Sequence, residues 1–407
     1  MGICYSPFRA GQHPDLGDGA VYPSEDEILE DLQILERDTP FRVLRLYDSG
    51  RNSEAILRLI ESHDLPFKVL LGAWLTAEIS NPDCPWRPEP YSDEVLHANE
   101  RFNAEEVGRA IRLAHRYSET VLAVSVGNEA LVGWSDHRVP LDAVTQYVRT
   151  VRAAVDQPVT VADTFDWWQA SGSALAREVD FVSVHIYPLW FGRDLEEALS
   201  FTISSFESVR EALPDTTIVI TETGWATTGS EFGDRASEEK QDRFLRDLYD
   251  WARADGVLSF FFEAFDESWK GDPDNPEGAE KHWGLYFEDR SPKLVIRRLV
   301  DETAPESDRI ESGAMASPDH RAVAASLWVK FLGNRLGIRH LATKWREVVE
   351  KLTRATGRER YALPSSENFE KAAIGCGVTG GGSGRASLAQ RRRAVKSGSS
   401  FQRATAC

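Results

Sequence analysis

The sequence predicts an α/β fold of the (β/α)8 TIM-barrel type, and three observations lead to it. Short apolar runs alternate with segments of helical periodicity, which is typical of parallel strands covered by helices. Eight such strand–helix units occur within about the first 300 residues, the usual size of this barrel. The first strand is not followed by a GxGxxG loop, which argues against the alternative, an open doubly wound sheet.

Each predicted strand is apolar along most of its length, as expected for a sheet covered on both faces. The strands are predicted at residues 2–8, 42–48, 68–74, 121–129, 158–165, 181–188, 216–225 and 259–267. The segments between them have the apolar spacing of amphipathic helices, most clearly at 24–38, 104–118 and 238–256. The first of these helices begins with Ser24 followed by Glu27, the pattern of a capping box.

The composition is that of a globular protein rich in aromatic residues. The 407 residues are 42% hydrophobic and include 12 Trp and 10 Tyr against 2 Met. Amphipathic rings suit a protein that binds sugars, although a large barrel core also uses many aromatic side chains. The four cysteines are scattered and the histidines do not cluster, so we expect no disulfide framework and no metal site.

Charge divides the chain into two parts. Residues 1–302 carry a net charge of −27, and residues 303–407 carry +9. We therefore predict a barrel domain over 1–302, followed by a linker and a basic, partly helical or disordered tail over 303–407. So acidic a barrel would repel nucleic acid, which excludes that partner for the domain. The tail is predicted to be an accessory extension, with an arm that binds a partner or an anionic surface as the alternative.

Nothing in the sequence as given indicates export or a membrane. The N-terminal "MGICYSPFRAG" has no basic and apolar leader, and no apolar run is long enough to span a bilayer. We expect a cytoplasmic protein, or a secreted or periplasmic one if a leader has been removed. No membrane partner is expected, and a monomer is predicted.

Two glutamates stand at the ends of predicted strands. Glu129 follows the fourth strand in "VSVGNEAL", and Glu222 lies at the end of the seventh in "TTIVITETGW". Barrels of this type place the active site at the C-terminal ends of the strands, so both side chains can reach one pocket. Two facing carboxylates can cleave a glycosidic bond, whereas an isolated strand-end glutamate more often forms a salt bridge. The pair, with Asn128 before the first acid, favours catalysis.

Six segments carry a family resemblance. In chain order they are "GICYSPFR", "SVGNEAL", "SVHIYPLW", "VITETGWA", "FFFEAFDESWKGD" and "EKHWGLYFEDRSPK". Together they resemble glycoside hydrolase family 17, the β-1,3-glucanase family, over roughly residues 1–300. The family is retaining, so the resemblance implies that Glu222 is the nucleophile and Glu129 the acid/base, with carboxyl groups about 5–5.5 Å apart. Asn128 is then expected to hydrogen-bond the sugar 2-hydroxyl.

The chain departs from the plant members of that family in two places. The motif "FDESWK" at 265–270 has Trp269 where those members have a polar amide, and the long connection Leu75–Ala104 looks more like bacterial and fungal members. Both differences touch the walls of the substrate site. Plant-type endo-cleavage is therefore not implied.

Aromatic and polar side chains at the strand ends are predicted to line the pocket, where rings stack on sugars and polar groups bind hydroxyls. The predicted substrate-binding residues are Tyr5, Tyr47, Asp48, Trp74, Asn128, Tyr187, Trp190, Trp225, Glu267 and Lys270. Arg45 and Asp48 are alternatively interpreted as a supporting pair beneath the pocket. His185 is interpreted as a satisfied core histidine.

The strand-eight acids are expected near the nucleophile. Glu267 is favoured over Glu263 as the acid that tunes Glu222, and Lys270 is expected to neutralise the cluster. A Schiff-base aldolase is disfavoured, because no lysine occupies an inward strand-end position.

The function predicted from sequence is a retaining β-glycosidase acting on β-1,3-glucan of the laminarin type. One alternative is a β-1,3-glucanosyltransferase using the same carboxylate pair, since only the acceptor differs. Another, of a different class, is a catalytically silent glucan-binding barrel, which would have no need for both acids. No cofactor and no metal are expected, because two carboxyl groups and water suffice.

Overall fold

The computed structural model describes residues 1–17 and 19–303, and they form a closed barrel of eight parallel strands, as predicted. The strands pair in chain order, and the last closes the ring against the first. They are β1 (Gly2–Cys4), β2 (Val43–Arg45), β3 (Lys68–Ala73), β4 (Val121–Asn128), β5 (Val159–Thr164), β6 (Val182–His185), β7 (Ile218–Gly224) and β8 (Ser259–Phe262). The predicted tail lies outside the described residues from position 304 onwards.

Helices follow the strands and cover the outside of the barrel. They are α1 (Glu25–Asp38), α2 (Arg51–Ser62), α3 (Asp93–Arg116), α4 (Leu141–Ala154), α5 (Phe165–Ser171), α6 (Leu195–Ala212), α7 (Glu238–Asp255) and α8 (Leu294–Thr303). The predicted capping box of α1 is confirmed, since Ser24 and Glu27 exchange side-chain and backbone hydrogen bonds. Within the described residues, every helix is too short or too polar to cross a bilayer.

The sequence overestimates the length of one connection. Helix α3 begins at Asp93 with Ser92 as its N-cap, so the last part of the predicted Leu75–Ala104 connection is helical. The first two turns of α3 are largely exposed, and they therefore lack the apolar stripe by which a helix is recognised in a sequence. The irregular segment that reaches the barrel mouth ends near residue 92.

A buried charge cluster joins the first strand to the helical layer. Asp31 of α1 accepts hydrogen bonds from Arg9 at 2.6 Å, from Arg290 at 2.8 Å and from the Tyr5 hydroxyl at 3.2 Å. Cys4 faces the barrel interior, where its thiol contacts the Thr221 carbonyl, so Tyr5 turns outward by strand alternation. The prediction that Tyr5 binds substrate is therefore wrong.

Replacing Asp31 with asparagine is expected to destabilise the fold by about 3–5 kcal/mol, because the buried Arg290 and the half-buried Arg9 lose their counter-charge. The matched control is Glu30→Gln, which removes an exposed partner of Arg9 and is expected to cost less than about 1 kcal/mol. Urea unfolding curves of the two variants measure the difference. Equal midpoints would show that the cluster does not hold the barrel together.

Candidate active site

The structure brings Glu129 and Glu222 together at the C-terminal end of the barrel. Glu129 directly follows β4 and Glu222 lies in β7, and the residues are 9% and 4% exposed. One oxygen of each carboxyl group and a ring nitrogen of His185 all lie within 4.8 Å of one another. This separation is nearer to the about 5–5.5 Å of retaining glycosidases than to the about 6.5–9.5 Å of inverting ones.

Unusual backbone positions the two acids. Gly127 has a φ of +83° and Glu129 a φ of +48°, so the chain leaves β4 in left-handed conformations. This conformation costs a residue with a side chain about 1–2 kcal/mol, and the Glu129 N–H offsets part of it by donating to the Ala162 carbonyl at 2.9 Å. In β7, Gly224 packs so closely that a Cβ there would lie 2.1 Å from the Phe262 carbonyl oxygen.

Glu222 is held in its ionised form. The Arg45 guanidinium contacts Oε1, and the Tyr187 hydroxyl donates to Oε2 at 2.6 Å. Burial alone would raise the pKa of Glu222, but the charge of a protonated His185, the charge of Arg45 and these hydrogen bonds lower it below its ordinary value. A buried carboxylate that remains charged is suited to attack a carbon centre.

The pKa of Glu129 is shifted in the opposite direction. Burial, reinforced by the negative charge of Glu222, raises the pKa of Glu129 to about 8. Nδ1 of His185 lies 2.8 Å from Oε1 of Glu129 and 3.5 Å from Oε2 of Glu222. Burial also lowers the pKa of His185 to about 4, so the ring is neutral at pH 7. His185 thus bridges the two acids, and its interpretation as a core histidine is wrong.

Asn128 lies beside the two glutamates, and one of its two polar side-chain atoms already has a hydrogen-bond partner. Its Oδ1 accepts a hydrogen bond of 2.6 Å from Arg45, so the amide nitrogen is the group left for a sugar hydroxyl. Arg45 therefore connects Glu222 to Asn128, and the predicted Arg45–Asp48 pair does not form. Asp48 instead accepts from the Gly50 N–H and Ser53 hydroxyl at the start of α2, which occupies its Oδ1.

The strand-eight acids form a separate buried cluster. The Lys270 ammonium lies 2.8 Å from Glu263 and 2.8 Å from Glu267, and Glu267 also accepts from the Trp269 indole N–H at 2.9 Å. Glu267 is 0% exposed and Lys270 is 4% exposed. Lys270 is thus paired with both acids, and binding of substrate by Glu267 and Lys270 stays a prediction.

A further acid near the pair was not selected from the sequence. Glu280 is half-buried in the segment after β8, and burial raises its pKa to about 8. The charge of Lys270 lowers this pKa, whereas the charges of Glu129 and Glu222 raise it. The sequence does point to this residue, because Glu280 is the first residue of "EKHWGL", one of the segments that resemble the family. Glu280 therefore belongs to the electrostatic surroundings of the pair.

Half-buried aromatic side chains surround the acids. Tyr187 packs edge-on against Phe262 and Trp283, and Trp190 packs edge-on against Phe232. The Trp74 ring lies 4.7 Å from the ring of His137, on the Glu129 side. These positions keep Trp74, Tyr187 and Trp190 available as predicted stacking surfaces.

The two remaining predicted aromatic contacts differ from each other. Tyr47 is half-buried beneath the Arg45 guanidinium, 4.6 Å from its ring centre, and stays a predicted substrate contact. Trp225 is 0% exposed, donates to the Arg235 carbonyl and packs on Phe244 of α7. The prediction for Trp225 is therefore wrong, because the ring leaves β7 towards the helical layer.

The three atoms of Glu129, His185 and Glu222 are spaced closely enough to hold a cation, and no second group of this kind occurs among residues 1–17 and 19–303. However, Arg45 already neutralises Glu222, and a protonated Glu129 offers no charge. The site fits an acid–nucleophile pair better than a metal centre. That no cofactor is needed stays a prediction.

Replacing Tyr187 with phenylalanine is expected to lower kcat about ten-fold, because a hydrogen bond to a charged group contributes about 1.5–3 kcal/mol. The pKa of Glu222 should rise, so the acidic limb of kcat/KM should move to higher pH. The control is Tyr147→Phe, which removes a similar hydroxyl contact from α4 to Glu78 in the connection between β3 and α3. An unchanged acidic limb would show that Tyr187 does not tune the nucleophile.

Comparison with known proteins identifies the family. A sequence model of the BtgE/BtgC glycoside hydrolase domain matches residues 2–284, which include all eight strands and both acids. The chain belongs to the BtgE/BtgC glycoside hydrolase family. The resemblance to glycoside hydrolase family 17 is thereby confirmed.

Curated relatives of this BtgE/BtgC domain are fungal. The chain is 25% identical over 287 residues to a glucan 1,3-β-glucosidase of Schizosaccharomyces pombe, covering 67% of this chain and 80% of that protein. It is 26% identical over 325 residues to the glucan endo-1,3-β-glucosidase btgC of Emericella nidulans, covering 72% of this chain. The match spans less than half of that relative, 45% of its length.

Solved structures share the barrel. An endo-laminarinase from Formosa is 26% identical with a TM-score of 0.63, and the match covers 81% of the BtgE/BtgC-family chain and 93% of that protein. A family 17 β-1,3-glucanosyltransferase from Rhizomucor miehei is 20% identical with a TM-score of 0.56, covering 72% of this chain and 95% of that one. The second likeness shows the shared fold.

Proposed function

We propose that this chain is a retaining glycosidase of β-1,3-glucan, with Glu222 as nucleophile and Glu129 as acid/base. One observation carries the proposal. Two buried carboxyl groups have oxygens within 4.8 Å of each other, and their surroundings drive their pKa values in opposite directions. A glycosidase needs such a pair, one acid protonated and one ionised at the same pH.

The first step forms a covalent intermediate. An oxygen of Glu222 attacks the anomeric carbon, and the bond from that carbon to the glycosidic oxygen breaks. Glu129 gives its proton to the departing oxygen, so the leaving sugar is released as an alcohol. Arg45 contacts one oxygen of Glu222 and Tyr187 donates to the other, so together they orient the carboxylate.

The second step releases the sugar. Glu129, now ionised, takes a proton from an acceptor hydroxyl, whose oxygen attacks the anomeric carbon and displaces Glu222. Water as acceptor gives hydrolysis, and a second glucan chain gives transglycosylation. The relatives named above include glucosidases, an endo-laminarinase and a glucanosyltransferase, which supports β-1,3-glucan as substrate and keeps the transferase as the second candidate.

A catalytically silent glucan-binding barrel is disfavoured. A binding site gains nothing from keeping one carboxyl group protonated and a second ionised a few ångströms away, because burying both is costly. The opposed environments of Glu129 and Glu222 therefore support turnover.

The deciding experiment follows product masses from a defined β-1,3-gluco-oligosaccharide over time. Shorter products alone indicate a hydrolase, and products longer than the starting sugar indicate a glucanosyltransferase. A Glu222→Gln variant that still binds the sugar serves as the control. No new product from the wild-type protein, with binding intact, would support the silent barrel instead.

We also propose that the catalytic unit ends near residue 302. The family match ends at 284, and α8 packs beside α7 and α1 to complete the helical layer at Thr303. Limited proteolysis is expected to leave a fragment of this size with full activity on glucan. Its monomeric state and its compartment stay predictions.

A further inference from the structure

His137 occupies an unusual position beside the acid/base. It lies in the loop between β4 and α4, is 7% exposed, and has no role in the chemistry described above. Its Nε2 lies 2.8 Å from the carbonyl oxygen of Asn128, which belongs to the peptide that joins Asn128 to Glu129. Its Nδ1 lies 2.8 Å from Oδ1 of Asp136.

We propose that His137 is a positioning residue for Glu129, clamping the strained Asn128–Glu129 peptide and placing a positive charge beside the acid. The inference rests on the proposed glycosidase function. In this proposal His137 acts on the reaction through Glu129 and does not contact the sugar.

The clamp acts on a peptide that would otherwise relax. The Asn128 carbonyl accepts from His137, and the Glu129 N–H on the same peptide donates to the Ala162 carbonyl at 2.9 Å. Both polar groups of this peptide are thus fixed from opposite sides. Glu129 keeps its left-handed φ of +48° because its surroundings determine it.

The charge follows from the hydrogen-bond partners of the ring. Both nitrogens face acceptors, a carbonyl and a carboxylate, and an imidazole can donate from both only when it is protonated. Burial alone would lower the pKa of His137, but the hydrogen bond and charge of Asp136 raise it above its ordinary value. The Trp74 ring covers one face of this cation at 4.7 Å.

Titratable and charged groups surround Glu129 and His137 on several elements. They are Arg45 of β2, His137 and Asp136 of the β4–α4 loop, Asp163 of β5, Asp166 of α5, His185 of β6, Glu222 of β7 and Glu280 after β8. The charges of His137 and Arg45 favour the ionised acid, whereas those of Glu222 and Asp166 oppose it. Arg45 is paired with Glu222 and Asn128, and of the two cations His137 has the larger effect on the pKa of Glu129.

The charge of His137 therefore limits the rise in the pKa of Glu129. Without His137, burial and Glu222 would push the pKa of Glu129 above its present value of about 8. General acid catalysis is most effective when the pKa lies near the working pH, because the same group must also take a proton back in the second step. His137 keeps Glu129 able to do both.

Three variants separate the charge of His137 from its hydrogen bond to the Asn128 carbonyl. His137→Gln keeps a donor for the Asn128 carbonyl but removes the charge. Asp136→Asn keeps the ring but removes its counter-charge. His97→Gln removes a histidine exposed on α3 and is the matched control.

The first measurement is NMR titration of the His137 imidazole in the full-length protein, with its signals assigned by their loss in His137→Gln. The ring is expected to be protonated at pH 7 in the wild type and to titrate at lower pH in Asp136→Asn. A ring that is neutral at pH 7 would overturn the proposal whether or not the protein cleaves glucan. A wild-type protein that cleaves no glucan would refute the proposed function instead.

The second measurement is the pH dependence of kcat/KM on a β-1,3-gluco-oligosaccharide. In His137→Gln and Asp136→Asn the basic limb is expected to move to higher pH by roughly one unit, because a nearby positive charge is lost. His97→Gln should keep the wild-type profile. A purely structural His137 would lower thermal stability and leave this limb in place, and an unmoved limb in both variants would overturn the proposal.

Discussion

Replacing Glu222 with glutamine is expected to reduce kcat on a β-1,3-gluco-oligosaccharide by about 10⁴-fold or more, because no group remains to form the covalent intermediate. Glutamine has the same shape, and it can still accept from the Tyr187 hydroxyl, so the fold should persist. Arg45 loses its counter-charge, which predicts a moderate loss of stability as well. Product formation and thermal unfolding should therefore be measured on the same preparation.

Replacing Glu222 with alanine gives a more direct test of its role as nucleophile. In Glu222→Ala, added azide can enter the vacated space and attack the anomeric carbon while Glu129 still protonates the leaving sugar. The product is a glucosyl azide of inverted, α configuration, which proton NMR identifies from the anomeric signal. A β-azide, or a Glu222→Gln variant as active as the wild type, would show that Glu222 is not the nucleophile.

Replacing Glu129 with alanine is expected to reduce kcat on glucan by about 10²–10⁴-fold, the usual contribution of general acid catalysis. The loss should depend on the leaving group. A dinitrophenyl β-glucoside releases a weakly basic phenolate that needs no proton, so formation of its covalent intermediate should be nearly unaffected. Comparable losses on both substrates would contradict the acid role.

The pH profile provides a second, independent test of Glu129. Below about pH 8 the carboxyl group is protonated and can donate, and above it the acid is ionised, so kcat/KM of the wild type should fall on the basic side. Glu129→Ala should lose this basic limb. It should keep the acidic limb, which is set by Glu222 and lies below the ordinary pKa of a glutamate.

The barrel and the pair of facing carboxyl groups could be predicted from the sequence because both depend on local pattern. Apolar runs and helical spacing mark the elements, and eight repeats fix their arrangement in a closed sheet. Glu129 and Glu222 stand where their strands end, and every strand of such a barrel ends at the same mouth. No knowledge of side-chain direction was required.

The surroundings of the pair were decided by the tertiary structure. Register shifts interrupt the ladders between Ser125 and Asn128 and between Val184 and His185, so alternation along a strand cannot be counted through them. His185, interpreted from the sequence as a core residue, follows the second shift and bridges the two acids. The electrostatic contrast between Glu129 and Glu222 likewise comes from Arg45 and from burial, which are set by side chains far apart in the chain. The sequence pattern identified the two acids. The tertiary structure supplies the physical reason why Glu129 holds the proton and Glu222 does not.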